Sequence, residues 1–247
     1  MALNFFSILS STIFLSIFAI AISLNFRISK FLNLSHGSIF ALGAYVAYYT
    51  IKSGVIPGVI LSAIFAFFTG VVLYFIIKKI GNGIFEATII SLGFAIGLEE
   101  ILRIVHGKGY YLIVESSLTL AGIDFWELVQ GLMLLIILAI LFLVYNSKFG
   151  IKLKFVEDDD FLARIYGINY EKLSLLCIAL TSSITGLLGF FSSTSQALYP
   201  GIGWMPLISG ILIAAITALF RSVGLIHYAK IVLIAFIYSL FISIVMC

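Results

Sequence analysis

Charge is scarce in this sequence. Of its 247 residues only 10% are Asp, Glu, Lys or Arg (14 basic, 11 acidic), against roughly 25% in a soluble domain. So few charges cannot coat a globule of this length, which excludes a soluble secreted domain. An apolar content of 62% excludes a disordered chain. The net charge of +3 is small and its basic residues are scattered, which excludes a nucleic-acid binder. Cysteine is nearly absent. Cys177 and Cys247 lie in apolar segments without metal-ligand spacing and read as small buried hydrophobes. No Gly-x-x-x-x-Gly-Lys-Ser/Thr loop occurs, so this chain does not hydrolyse ATP in the P-loop manner. Metal motifs and Ser-His-Asp arrangements are also lacking. No basic stretch precedes the apolar run from Met1 to Asn25, which reads as a retained helix rather than a cleaved leader.

Long apolar runs are what the sequence has. A membrane-crossing helix needs roughly 20 apolar residues, and eight such helices match the apolar content. Strands of a membrane barrel alternate apolar and polar residues, and these runs do not. The expected fold is therefore all-α: a polytopic helical membrane protein, one transmembrane domain over residues 1–247. The spans fall at about 5–25, 34–51, 55–77, 84–105, 126–146, 170–192, 205–220 and 224–246. Turns are marked by Gly54 and Pro57, by Gly81-Asn82-Gly83, and by Pro200-Gly201 and Pro206.

The few basic residues fix the orientation. With the 147–170 loop inside, Arg27, Lys30, Lys78, Lys79, Lys148, Lys152, Lys154, Arg164, Lys172, Arg221 and Lys230 are all inside, 11 of the 14. Only Lys52 and Lys108 lie in outer loops, and Arg103 sits near the outer end of a span. Both termini then face out, as an even number of spans requires.

The inside loop carries the acidic run Glu157-Asp158-Asp159-Asp160, which suits the start of a short helix. Asp159, Ala163 and Gly167 fall at i, i+4 and i+8, a single stripe if that helix continues. The stripe fits a solvated amphipathic helix at the membrane surface, or a helix on which a cytosolic partner docks.

The segment from Phe31 to Tyr45 contains Asn33, His36, Gly37, Gly43, Ala44 and Tyr45 in a distinctive register. It resembles the signature of the branched-chain amino-acid permease family of ABC importers, the LivH/LivM type. A second likeness lies in Gly150, Lys154, Val156, Asp158, Asp159, Ala163, Arg164, Gly167, Ile168 and Asn169, which resemble that family's coupling loop. The likeness covers about residues 10–225. It departs at Ala218 to Gly224, where the family has a glycine-rich turn, at the short C-terminal end, and at Glu99 and Glu100. The resemblance implies an ABC-importer permease fold with a cytoplasmic coupling helix. The implied partners are a second permease subunit, two cytosolic ATPase subunits and an extracytoplasmic binding protein, within a cell membrane. ATP would be bound by the ATPase subunits, and no cofactor by this chain. Asp159, Ala163, Arg164, Gly167, Ile168 and Asn169 are the implied coupling residues, with Ala163 and Gly167 seating the helix.

Polar groups at membrane depth need protein or water around them. Asn33 and His36 either satisfy backbone freed where a helix starts late or line a substrate route; Gly37 follows them. Ser182, Ser183 and Thr185 offer hydroxyls to a passing amine or carboxylate, or bond back to their own helix. Small residues at four-residue spacing (Gly37/Ala41, Gly93/Gly97, Ser182/Gly186, Thr185/Gly189, Gly210/Ala214/Ala218) predict close helix packing. Glu99 and Arg103, at i and i+4, predict an ion pair. Glu86 and Glu127 lie near span ends and call for no special role. Two other readings stay open: a stand-alone secondary transporter or channel using His36 or Glu99, Glu100 and Arg103 as a relay, and a non-transporting paralogue.

Overall fold

The computed structural model describes residues 5–81, 83–107, 112, 114, 119–120, 123–220 and 222–245. Asn82, Lys108, Arg221 and Cys247, used above for turns, orientation and cysteine chemistry, lie outside them. Among the described residues ten helices follow one another: α1 (Phe5–Ser29), α2 (His36–Thr50), α3 (Val55–Ile80), α4 (Ile84–His106), α5 (Phe125–Tyr145), α6 (Lys148–Asp158), α7 (Asp160–Ile165), α8 (Tyr170–Ser192), α9 (Trp204–Leu219) and α10 (Leu225–Val245). A two-residue antiparallel pair, β1 (Thr119–Leu120) with β2 (Ile123–Asp124), precedes α5.

Helices occupy all eight expected spans, but they are unequal. α1, α3, α5, α8 and α10 are long and apolar enough to cross a membrane. α2 has 15 residues and α9 has 16, about 22–24 Å at ~1.5 Å per residue, short of a ~30 Å hydrocarbon core. α4 is long but carries Glu86, Glu99, Glu100 and Arg103.

α1 and α8 form the centre. α8 packs against α1, α2 and α3, and α1 also packs against α9 and α10. Ile17, Phe18, Phe40, Leu188, Leu207, Ile213 and Tyr228 fill the largest apolar core. Glycine lets the backbones touch. A Cβ on Gly43 would stand 1.9 Å from the Gly186 carbonyl oxygen, and one on Gly189 would stand 2.0 Å from that of Phe40. The stripes on α2, α8 and α9 are thus packing surfaces. The α4 stripe is different: nothing lies within 4 Å of a Cβ at Gly93 or Gly97.

The short helices begin inside the protein. α1 closes at Lys30, whose φ of 61° turns the chain away. The non-helical backbone that follows is buried, so its polar groups need side-chain partners. Asn33 Oδ1 accepts from the Ser35 N–H (3.0 Å) and hydroxyl (2.7 Å). The Leu34 N–H donates to Ser91 Oγ of α4 (3.0 Å). The start of α9 meets the start of α2 there: a Cβ on Gly203 would stand 1.9 Å from the Gly37 carbonyl oxygen.

Candidate functional site: a buried polar cluster and an inside lever

Three helices bring polar side chains to the centre. His36 at the first turn of α2 is fully buried, and its Nδ1 lies 3.0 Å from Thr185 Oγ1 of α8. The Thr185 hydroxyl donates to the Thr181 carbonyl one turn back (2.8 Å). Its single proton is therefore committed, so His36 Nδ1 is the donor and Nε2 of the neutral ring is left as an acceptor. At that preceding turn of α8, Thr181 Oγ1 accepts from Asn25 Nδ2 of α1 (3.2 Å). Ser182 faces α3, where a Cβ on Gly70 would stand 2.6 Å from its hydroxyl.

Four atoms of this cluster have no partner among the described residues: Asn25 Oδ1, Asn33 Nδ2, His36 Nε2 and Ser182 Oγ. A buried polar group left unpaired costs roughly 1–3 kcal/mol. Two acceptors, one donor and one hydroxyl are thus buried here without a partner among the described residues.

Of the six expected pathway residues, the structure joins His36 and Thr185 directly and places Asn33 at the turn before them. Gly37 serves the contact with Gly203. Ser183 points elsewhere: its hydroxyl donates to the Ala63 carbonyl of α3 (3.2 Å). Asn25 and Thr181 complete the cluster and were not singled out above. A lone Asn in the apolar run of α1 was the available signal.

The expected ion pair of α4 has a different partner. Arg103 bonds Glu100 at i, i+3 (2.5 Å). Glu99 is turned inward, 8% exposed, toward Trp204 at the start of α9. The relay of Glu99, Glu100 and Arg103 is therefore divided between two faces of the helix.

At the inside end, the stripe of Asp159, Ala163 and Gly167 is not one helix face. The loop folds as α6 and α7, broken at Asp159. Asp159 caps α7, its Oδ1 accepting from the N–H groups of Phe161 (2.9 Å) and Leu162 (3.0 Å). Gly167 ends it with φ of 75°, so glycine is needed for backbone geometry; nothing is within 4 Å of a Cβ there. Asn169 Oδ1 caps α8 through the Lys172 N–H (3.0 Å). Ala163 is fully buried in a small core with Ile28, Leu153, Val156, Leu173 and Cys177, and Ile168 packs against it. Arg164 lies over the Tyr170 ring, 4.4 Å from its centroid. Ala163 thus faces this chain's own core. The outward face of α7 belongs to Phe161, Ile165 and Tyr166, which are 69%, 65% and 73% exposed.

Glu157 is the residue whose role the sequence hid. Its side chain is 1% exposed. It pairs with Arg27 of α1 (2.6 Å) and accepts from the Tyr145 hydroxyl of α5, which in turn lies 2.9 Å from that of Tyr228 on α10. Arg27 also donates to the Ser222 carbonyl (3.1 Å), and Lys30 Nζ donates to the Glu157 carbonyl (2.7 Å). Burial pulls the Lys30 ammonium below its usual pKa, against the pull of the Asp160, Glu157 and Asp158 carboxylates. One carboxylate therefore ties α6 to α1 and α5, and through Tyr145 to α10.

Apolar helices around a buried polar cluster, with amphipathic helices bound to one end, define a multi-pass membrane protein of the transporter class. The model of the branched-chain amino acid transport system / permease component family matches residues 4–246, and the chain belongs to that family. A protein of Methanocaldococcus jannaschii described as a probable branched-chain amino acid transport permease protein LivH is similar. It is 25% identical over 211 residues, covering 79% of this chain and 67% of that one. No solved structure matches.

Proposed function

We infer that this chain is a membrane-spanning permease subunit of an ATP-driven importer for branched-chain amino acids. The cargo reading rests on the family and on its archaeal relative's description. The observation that carries the mechanism is the inside lever. α7 exposes Phe161, Ile165 and Tyr166, and Glu157 fastens the preceding helix to α1 and α5. Cytosolic ATPase subunits dock on that apolar face, and their closure moves α6 and α7. A second permease subunit completes the pathway, and an extracytoplasmic binding protein delivers cargo to the outer side. The positive-inside bias sets both termini outside.

Within the chain, the cargo's polar groups meet Asn33, His36, Ser182 and Thr185, with Asn25 and Thr181 beside them. Gly37 keeps the starts of α2 and α9 in contact, and Ser183 holds α8 to α3. Asp159, Arg164, Gly167, Ile168 and Asn169 shape and terminate α7, and Ala163 seats it. ATP binds to the partner subunits and no cofactor to this chain.

The test is co-expression with the ATPase and binding-protein subunits of a branched-chain amino-acid importer, then purification and reconstitution. Leucine, isoleucine or valine should stimulate ATP hydrolysis and drive uptake. Uptake by the purified chain alone, driven by an ion gradient, would overturn the reading in favour of a secondary transporter.

A further inference from the structure

A second polar region lies at the opposite end of the molecule from Arg27 and Glu157. The first half of α1, the start of α5, the end of α8 and the start of α9 line an open cavity of about 380 Å³. That is within the ~300–1,000 Å³ of small-molecule sites. Glu127 is the single charged residue among the described lining residues, and no lysine or arginine accompanies it. It sits in the first turn of α5, and no ion pair reaches it among the described residues. Around it stand serine hydroxyls, including Ser195, and the amides of Gln130 and Gln196. Gln130 is 4% exposed, and its Nε2 lies 3.4 Å from Ser192 Oγ. Phe14 and Met205 give the cavity an apolar wall.

This donor set has a chemical complement. A lone carboxylate without a neighbouring cation attracts an ammonium group. Hydroxyls and amide N–H groups suit a carboxylate. The apolar wall suits a branched alkyl chain. Phe14 also meets Phe40 edge-on, with centroids 5.7 Å apart, and Phe40 is one helical turn beyond His36. The apolar wall of the outer cavity is thus packed on the helix that carries the buried polar cluster.

We propose that this outer cavity is a recognition site for a small amino acid with an apolar side chain, its ammonium on Glu127 and its alkyl chain on Phe14 and Met205. The proposal rests on the importer reading for the choice of natural ligand, but not for the chemistry of the site.

The experiment measures binding to the full chain in lipid nanodiscs by calorimetry. The probes are L-leucine, isopentylamine (alkyl and ammonium) and 4-methylpentanoate (alkyl and carboxylate). Leucine and isopentylamine should bind and 4-methylpentanoate should not. Glu127→Gln should weaken both ammonium ligands at least about tenfold, the loss of one charge-assisted hydrogen bond. Gln196→Lys, on an exposed loop position, places a competing cation in the cavity and should abolish binding. Glu127→Asp should retain part of it. Unchanged melting temperature and elution volume show that the variants fold. Equal binding of an ammonium ligand to wild type, Glu127→Gln and Gln196→Lys overturns the site and leaves the importer reading standing. So does no binding of either ammonium compound to the wild type. Glu127-dependent binding of isopentylamine without leucine binding overturns the amino-acid site, whereas Glu127-dependent leucine binding without leucine-driven ATP hydrolysis supports the site and overturns the importer reading.

Discussion

Gly43→Ala tests whether the backbone contact between α2 and α8 holds the centre together. The added Cβ would stand 1.9 Å from the Gly186 carbonyl oxygen and 2.7 Å from its carbonyl carbon. A carbon resting against a carbonyl oxygen needs about 3.3 Å, so the helices must part by about 1.4 Å. Neither surface is a flexible side chain. On its other side Gly186 is fixed by Ser62, whose hydroxyl donates to the same carbonyl oxygen (3.0 Å), and by Ala66, 2.3 Å from where its own Cβ would be. Overpacking costs about 1–3 kcal/mol, and losing the Ser62 bond adds about 1 kcal/mol. A total of about 2–4 kcal/mol, at about 2–4 °C per kcal/mol for a chain of this size, lowers the melting temperature by about 4–16 °C. Gly97→Ala is the control, because nothing lies within 4 Å of its Cβ. Alanine's helix propensity should leave it unchanged or up to about 1 kcal/mol more stable. Thermal melting of both variants in the same detergent makes the comparison. A Gly43→Ala protein that melts with the wild type, or a Gly97→Ala protein that falls as far, refutes the packing argument.

Glu157→Gln keeps the side chain's shape but leaves Arg27 without its carboxylate; a loss of about 3 kcal/mol, read by melting, should accompany faster proteolysis within residues 147–169. Ile165→Ser with Tyr166→Ser alters exposed positions only, so stability should hold within about 0.5 kcal/mol, while ATPase subunits no longer co-purify. Gly167→Ala meets no steric obstacle and should lose only about 1–2 kcal/mol from its left-handed φ. Gly167→Asn should recover part of that in the same melting assay.

Helix positions were legible because apolar runs and glycine-proline punctuation report directly on burial and turns. Depth was not. α2 is short because Asn33 and Leu34 find partners in Ser35 and Ser91, the latter 57 residues away from Leu34. Spacing within one segment carries no record of such a contact. The polar pair of His36 and Thr185 was foreseen as two separate candidates, since each is costly in an apolar run. Their meeting depends on how α2 crosses α8. At the inside loop, periodicity failed because Asp159 breaks the helix it was read as part of, which turned Ala163 inward and left Phe161, Ile165 and Tyr166 outside. Glu157 stands beside three aspartates in sequence, and only the ends of α1 and α5 set it apart from them.

The tie at Glu157 has a kinematic consequence. Its carboxylate binds a guanidinium of α1 and a phenol of α5, and its carbonyl holds the ammonium just past the end of α1. Each of these links is a direct contact between side chains or between side chain and backbone. The end of α6 and the end of α1 are therefore held as one unit. Because α1 also runs against α8, α9 and α10, it joins this tie to the rest of the bundle. Asn25 lies half a turn from Arg27 on that helix, so the inside tie and the buried amide share one rigid element.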